Sequence, residues 1–174
     1  GGEGLFTKQI EQALLDRRID VAVHSAKDLP SAMIPDLLLA AVPERESSHD
    51  VWIARDNTPY DYIAAGMVIG TGSPRRRAQV ANRHRRADVR GIRGNVETRL
   101  RKLQDGDYAG LIMAHAGLKR SGLADAVPEV LDFDKMLPAP GQGALAIQTR
   151  TGDERPINAV RTIDHAESHR LLDI

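Results

Sequence analysis

The feature that most constrains the fold is a regular alternation of short apolar runs with segments of helical periodicity, which begins at the run 51–54. Parallel strands need a connection of about a dozen residues, so this alternation is typical of α/β proteins with largely parallel sheets. We therefore predict a ladder of strands and helices. Its units are a strand at 67–70 with a helix at 74–84, a strand at 88–91 with a helix at 95–104, and a strand at 110–114 with a short helix near Leu118.

Before the ladder, residues 7–18 predict an amphipathic helix with Ile10, Ala13 and Leu14 on its apolar face and Glu11 on a polar one. Outside the ladder, further apolar runs predict additional elements. They are buried strands at 20–25 and 37–42, a strand at 144–148 that can return to the first sheet, and a final helix at 153–162.

Two polar or Pro/Gly-rich stretches predict hinges, at 44–49 and 138–143. They divide the chain into a discontinuous domain 1 and a continuous domain 2. The predicted bounds are 1–43 plus 144–163 for domain 1 and 50–137 for domain 2.

Composition excludes several classes of protein. Apolar residues make up 41% and charged residues 28%, as in an ordinary globular chain, and 24 basic residues balance 24 acidic ones. The absence of cysteine excludes disulfides, thiolate metal sites and cysteine nucleophiles. No apolar run is long enough to cross a membrane and the six histidines lack metal-ligand spacing, so we expect a cytoplasmic protein without a metal.

The positive charge is concentrated in one segment. Residues 75–102 contain 11 basic residues and only two acidic ones, and ten of the 11 are arginine. Arginine binds carboxylates and phosphates through two parallel hydrogen bonds, which indicates an anionic partner. The alternative is that these residues form solvated helix faces paired with nearby acids, and composition alone leaves both interpretations open.

A glycine-rich turn at 70–73 leads into the first helix of this segment. Ser73 suits the N-cap and Pro74 the first helical position, so free backbone N–H groups and the positive helix end favour an anion there, next to Arg75 and Arg76. The turn has neither the Walker spacing nor Gly-x-Gly-x-x-Gly, which disfavours ATP and dinucleotides. A tight turn with arginines in solvent is the alternative.

A second strand end has the same character, because Arg93 precedes a helix that Asn95 can cap and that carries Arg99. Ligands of open α/β sheets bind at the carboxyl ends of the strands, so both arginine groups should face one crevice. This convergence favours a carboxylate or phosphate pocket.

The segment 24–30 ends the first predicted strand and carries Asp28. A carboxylate that faces many guanidinium groups is held ionised, and it can stabilise a cation or exchange a proton. A helix cap or a salt bridge to Lys27 is the alternative for Asp28. For His24 a hydrogen-bonded core histidine is preferred over catalysis.

Six motifs, in order along nearly the whole chain, resemble the porphobilinogen deaminase (hydroxymethylbilane synthase) family. They are GGEGLFTK at 1–8, HSAKDLP at 24–30, GTGSPRR at 70–76, RGNVETR at 93–99, AGLKR at 116–120 and PGQGA at 140–144. The resemblance implies an α/β fold of two periplasmic-binding-protein-like domains joined by a double crossover hinge, with a third domain that is absent from this chain. It also implies that domain 1 is incomplete here and that 164–174 is the start of the connection to a C-terminal domain.

The resemblance also implies an activity: porphobilinogen loses ammonia, and four units are joined to hydroxymethylbilane in tetrapyrrole and heme biosynthesis. Asp28 matches the family's catalytic aspartate, which stabilises cationic pyrrole intermediates. The matched residues that bind substrate or cofactor carboxylates, or support that binding, are Lys27, Ser73, Arg75, Arg76, Arg93, Arg99, Arg120 and Gln142.

Departures from the family pattern qualify this expectation. The dipyrromethane cofactor is attached in the family through a cysteine of the third domain, and this chain has no cysteine. We therefore expect the 174 residues alone to be inactive. A monomer that binds neither nucleic acid nor membrane is expected. The alternative is a non-enzymatic anion-binding module of periplasmic-binding-protein type, and a nucleic-acid binder ranks last because only six residues are aromatic.

Overall fold

The structure, a computed structural model, describes residues 3–30, 32–123 and 129–172. Gly1 and Gly2 of the first family motif, residues 124–128 of predicted domain 2 and the end of the segment 164–174 lie outside the described residues. The chain divides into two units: unit 1 takes Gly1–Glu46 and Pro140–Ile174, and unit 2 takes Ser47–Ala139.

The elements follow the chain from unit 1 through unit 2 and back. Unit 1 begins with α1 (Glu3–Leu15), β1 (Ala22–Ser25) and β2 (Leu37–Ala41). Unit 2 contains β3 (Asp50–Ala54), β4 (Val68–Gly70), α2 (Pro74–Arg83), β5 (Asp88–Arg90), α3 (Val96–Gln104), β6 (Gly110–Ala114), α4 (His115–Arg120) and β7 (Glu129–Leu131). Unit 1 then resumes with β8 (Leu145–Arg150), α5 (Glu154–Val160) and α6 (Ala166–Arg170).

The sheet of unit 2 has the order β5-β4-β6-β3-β7. The predicted ladder is confirmed, since β4 runs parallel to both β5 and β6. The expectation of a largely parallel sheet is wrong for the other half, because β3 runs antiparallel to β6 and β7. The apolar run of β3 indicates that both of its faces are buried. Burial alone does not determine whether a strand is parallel or antiparallel to its neighbours. Strand β7 was not predicted.

Buried apolar side chains pack against both faces of this sheet and stabilise it. Trp52, Ile69 and Ile112 belong to the buried cluster on one face, and Leu111 belongs to the cluster on the other. Trp52 Nε1 also donates a hydrogen bond to the Thr58 carbonyl at 2.8 Å. A Cβ atom on Gly110 would lie 1.9 Å from Trp52 Cη2, so only glycine fits beneath the indole.

The described sheet of unit 1 has the order β1-β8-β2 and is antiparallel throughout, contrary to the expectation of parallel pairing. Strand β8 comes back to this sheet after unit 2 and lies between two strands that precede unit 2. The prediction of a fully buried strand at 20–25 is also wrong. Burial alternates along β1, and Val23 is 58% exposed, because β1 pairs with one described neighbour and covers the core with one face only.

Helix α1 begins before the predicted Thr7 and ends at Leu15, three residues before the predicted end. It ends there because Arg17 adopts φ 58°, and the N–H groups of Arg17 and Arg18 donate to the carbonyls of Leu14 and Ala13 at 3.0 and 2.9 Å. This is the Schellman pattern with an arginine in the left-handed position.

Glu11 was predicted on a polar face of α1 but is buried, with 2% exposure. Its Oε1 accepts a hydrogen bond from Gln148 Nε2 of β8 at 3.2 Å, which accounts for a carboxylate on the packed side of the helix. Near the other end of the chain, α5 covers most of the predicted final helix and passes into a 3₁₀ turn at Arg161–Ile163, whereas α6 was not predicted.

Candidate anion-binding and catalytic site

The arginine-rich segments of unit 2 follow three strands whose carboxyl ends share one edge of the sheet. Strand β4 is parallel to β5 and β6, and just beyond it Thr71 N donates to the Arg90 carbonyl at 3.0 Å. We call this edge, with the helix starts that follow it, the carboxyl edge. The predicted residues on these connections are Ser73, Arg75 and Arg76 after β4, Arg93 and Arg99 after β5, and Arg120 at the end of α4 after β6.

Both predicted helix caps at the carboxyl edge are confirmed. The Ser73 hydroxyl accepts from Arg76 N at 3.4 Å, with Pro74 in the first turn, and Asn95 Oδ1 accepts from Thr98 N at 2.9 Å. These caps fix where α2 and α3 begin, so their positive ends lie next to the strand ends.

Asp50 is the residue at this edge that the sequence analysis missed. Its side chain is 0% exposed, and its carboxylate accepts from Arg76 Nε at 3.0 Å, Arg76 Nη2 at 2.7 Å and Arg75 Nη2 at 2.7 Å. Because β3 runs antiparallel to β6, its first residue lies opposite Ala114, the last residue of β6. The sequence signal that could have identified Asp50 is a charged residue directly before a fully apolar run.

The Asp50 cluster, defined as Asp50, Arg75 and Arg76, places two guanidinium groups on one buried carboxylate. Arg76 has a side chain only 7% exposed and is held inside unit 2, whereas the Arg75 side chain is 23% exposed. Arg75 Nη1 also donates to the Leu137 carbonyl. The carboxylate therefore orients both guanidinium groups.

The other arginines of 75–102 divide between the two interpretations left open by the sequence. Arg83 pairs with Asp61 at 3.0 Å and Arg90 with Asp88 at 2.6 Å, as expected for solvated helix and strand ends. Arg93 is exposed on the connection from β5 to α3, and Arg99 Nε donates to the Gly94 carbonyl at 2.7 Å. Among the described residues no carboxylate lies within ion-pair distance of Arg93, so its guanidinium group is available at the carboxyl edge.

In unit 1, Lys27 and Asp28 lie on an exposed 3₁₀ turn, Ala26–Asp28, that follows β1 directly. Ala26 N donates to the Ala144 carbonyl at 3.0 Å, which ties this turn to the start of β8. His24 is buried with its Nε2 3.1 Å from Gln148 Oε1, so the preferred interpretation of His24 as a core histidine is confirmed.

The predicted residue Gln142 is buried in the turn 140–144, which packs against the Asp28 turn. The Gln142 carbonyl accepts from Arg45 Nε at 2.9 Å. A Cβ atom on Gly141 would lie 3.2 Å from the Ala26 carbonyl carbon and 3.2 Å from Lys27 N, so the backbones are in close contact. Unit 1 therefore brings Lys27, Asp28 and the Gln142 turn together.

Gly141→Ala is expected to lower the free energy of unfolding by about 2–3 kcal/mol, because it adds a crowded methyl group to a residue with φ +68°. The matched control is Gly152→Ala, which has φ +73° but no atom within 4 Å of the added Cβ. The control isolates the backbone strain, about 1–2 kcal/mol. Urea unfolding measures both, and equal losses would contradict the proposed crowding.

The described residues contain neither a metal-binding cluster nor a membrane-spanning helix. In residues 3–30, 32–123 and 129–172, no group of three or more His, Cys, Asp or Glu side chains is arranged to hold a metal ion. In the same ranges no helix has the length and hydropathy needed to cross a membrane.

Comparison with solved structures supports the fold. The chain aligns with a YaeC-family lipoprotein of Enterococcus faecalis at a TM-score of 0.55 and 14% identity, covering 92% of this chain and 77% of that one. It aligns with a putative methionine-binding lipoprotein of Bacillus subtilis at a TM-score of 0.54 and 14% identity, covering 96% and 75%. These similarities confirm an α/β fold of periplasmic-binding-protein type.

Comparison with sequences supports a family. The model of the porphobilinogen deaminase, dipyromethane cofactor binding domain matches residues 1–158. Porphobilinogen deaminase of Syntrophotalea carbinolica is 45% identical over 168 residues, which are 97% of this chain and 53% of the relative. That of Burkholderia mallei is 53% identical over 148 residues, which are 85% and 45%. The chain spans about half the length of these relatives, and over that span it belongs to the porphobilinogen deaminase family.

Proposed function

We propose that this chain forms the substrate-handling part of a porphobilinogen deaminase, the transferase that joins four porphobilinogen molecules head to tail into hydroxymethylbilane. The observation that carries the proposal is the carboxyl edge, where the Asp50 cluster and the exposed Arg93 lie at the ends of neighbouring strands of one sheet. Membership of the family supplies the reaction to which this charge belongs.

The substrate's chemistry suits this edge. Each porphobilinogen carries an acetate and a propionate, so the growing chain is a polycarboxylate. Arg75, Arg93, Arg99 and Arg120 are proposed to bind these carboxylates through paired hydrogen bonds, with Arg76 fixed in the Asp50 cluster and the capped start of α2 at Ser73 adding backbone donors. Lys27 and Gln142 are proposed to support binding from unit 1.

Asp28 is proposed to act on the charge that develops during the reaction. When ammonia departs, the methylene carbon and pyrrole ring become positive, and a carboxylate stabilises that charge more in the transition state than in the bound substrate. The same carboxylate accepts hydrogen bonds from pyrrole N–H groups. The exposed turn on which Asp28 lies leaves it accessible to a ligand.

The residues of this chain suit one part of the dipyrromethane cofactor that the family model names, its carboxylates, but not its thioether. Its carboxylates suit the arginines of the carboxyl edge, whereas its thioether has no partner in the 174 residues because the sequence lacks cysteine. When bound, this group supplies the free pyrrole position to which substrate units are added. The residues of this chain would hold its carboxylates and orient it.

The experiment is a calorimetric titration of the 174-residue chain with a dipyrromethane that carries acetate and propionate groups. Removing the charges in Arg93→Gln/Arg99→Gln is expected to raise Kd by at least about tenfold, since each charge-assisted hydrogen bond contributes about 1.5–3 kcal/mol. Arg155→Gln/Arg161→Gln, two exposed arginines of unit 1 that no proposed site uses, is the control. Equal weakening by both pairs would contradict the proposed site.

A non-enzymatic anion-binding module is the second candidate, favoured by the fold similarity to solute-binding lipoproteins. It predicts that carboxylated pyrroles bind but are released unchanged, even at the family's full length. We further propose a monomeric cytoplasmic protein that binds neither nucleic acid nor membrane. Sedimentation equilibrium of the chain should then return a single mass near 19.0 kDa.

A further inference from the structure

Unit 2 contains an open hollow of ≈ 470 Å³ that the proposed function does not use. The loop at 63–65, which precedes β4, forms one wall, and the turn at 83–87, between α2 and β5, forms the other. The hollow is therefore at the amino-terminal edge of the parallel strands, opposite the carboxyl edge. Gly66 N donates to the Arg86 carbonyl at 2.8 Å and Ala87 N to the His84 carbonyl at 2.9 Å, which hold the two walls in place.

Three arginines, Arg83, Arg85 and Arg86, line this hollow, and no acidic residue does. Arg83 pairs with Asp61, Asp61 also pairs with Lys135 at 2.6 Å, and Lys135 pairs with Glu129 at 3.2 Å, so these two cations and two carboxylates balance. In the part of the chain that the structure describes, no carboxylate lies within ion-pair distance of Arg85 or Arg86, and both are exposed. The wall thus carries two unbalanced guanidinium charges side by side.

The same wall contains a buried polar atom that no described residue satisfies. His84 Nε2 is inaccessible to solvent and has no hydrogen-bond partner, and the imidazole stands edge-on to the Tyr60 ring at 4.9 Å. Burial lowers the pKa of His84, so the ring is neutral at pH 7.

We propose that this hollow binds a small oxyanion with two or more negative charges, either a phosphate group or a polycarboxylate. The planar guanidinium groups of Arg85 and Arg86 bind its oxygens in pairs, beside the His84 imidazole that lines the same wall. This second anion site is distinct in position and residues from the carboxyl edge, and it does not depend on the proposed function.

The test is a titration of the 174-residue chain with inorganic phosphate and, separately, with citrate, followed by calorimetry and by the His84 imidazole NMR signals. Saturable binding with a shift of those signals is expected. Arg85→Gln/Arg86→Gln should raise Kd by at least about tenfold. Arg155→Gln/Arg161→Gln, exposed arginines of unit 1, is the matched control and should change Kd less than about twofold.

Each outcome decides the proposal. Binding of phosphate alone supports a phosphorylated ligand, and binding of citrate alone supports a polycarboxylate. Unchanged His84 signals, or equal weakening by the control pair, would overturn the site. Unchanged circular dichroism shows that the variants are folded. Arg93→Gln/Arg99→Gln should leave phosphate binding intact. The proposed anion site in the hollow and the proposed pyrrole site at the carboxyl edge can therefore be refuted independently.

Discussion

Replacing Asp28 with asparagine is expected to lower kcat for porphobilinogen consumption by about a hundred- to a thousandfold, with little change in KM. Asparagine keeps the size of the side chain and much of its hydrogen bonding but loses the negative charge. The lost interaction is one that strengthens as positive charge develops on the pyrrole ring, so binding of the substrate before ammonia departs is largely retained. Initial rates are measured on a polypeptide of the family's full length that carries these 174 residues.

The control for this prediction is Asp36→Asn, an exposed aspartate of the same unit that no proposed step uses. It should retain the full rate. If Asp28→Asn kept more than about a tenth of the rate, the proposed charge stabilisation would be wrong, because a loss below about 1.4 kcal/mol is too small for a charge that acts on the transition state. An increase in KM alone would instead assign Asp28 to substrate binding.

The second large effect concerns stability. Asp50→Ala is expected to lower the free energy of unfolding of unit 2 by about 3–5 kcal/mol, because it leaves the mostly buried Arg76 and half-buried Arg75 guanidinium groups without their shared carboxylate. Urea unfolding followed by tryptophan fluorescence is specific for unit 2, since Trp52 is the only tryptophan and is 1% exposed.

Two further variants separate the buried charge from general damage. Asp88→Ala removes a carboxylate that pairs with Arg90 in solvent, and it should leave stability nearly unchanged. Asp50→Ala/Arg76→Met should lose less than the sum of its single changes, because the second substitution removes the unpaired charge that the first creates. Additive losses would contradict the assignment of Asp50 as the partner of Arg76.

The local structure of unit 2 was accessible from the sequence. Periodicity located three successive strand and helix pairs, and the residue types of Ser73, Pro74 and Asn95 located two helix starts, because capping depends on groups within three or four residues of each other. The end of α1 was misplaced for a related reason. Arginine is uncommon in the left-handed conformation that Arg17 adopts, so no residue type marked the stop.

The sequence by itself determined the strand and helix order of the ladder, its caps and the concentration of arginine that follows its strands, since each of these depends on neighbours along the chain. Tertiary structure alone decided that β3 runs antiparallel, which brings Asp50 to Arg75 and Arg76 across 25 and 26 positions. It also decided that Glu11 is buried against Gln148, 137 positions away. From the sequence alone, a carboxylate is predicted to be exposed, because burying it costs free energy. Only the folded structure shows the distant partner whose hydrogen bonds offset that cost.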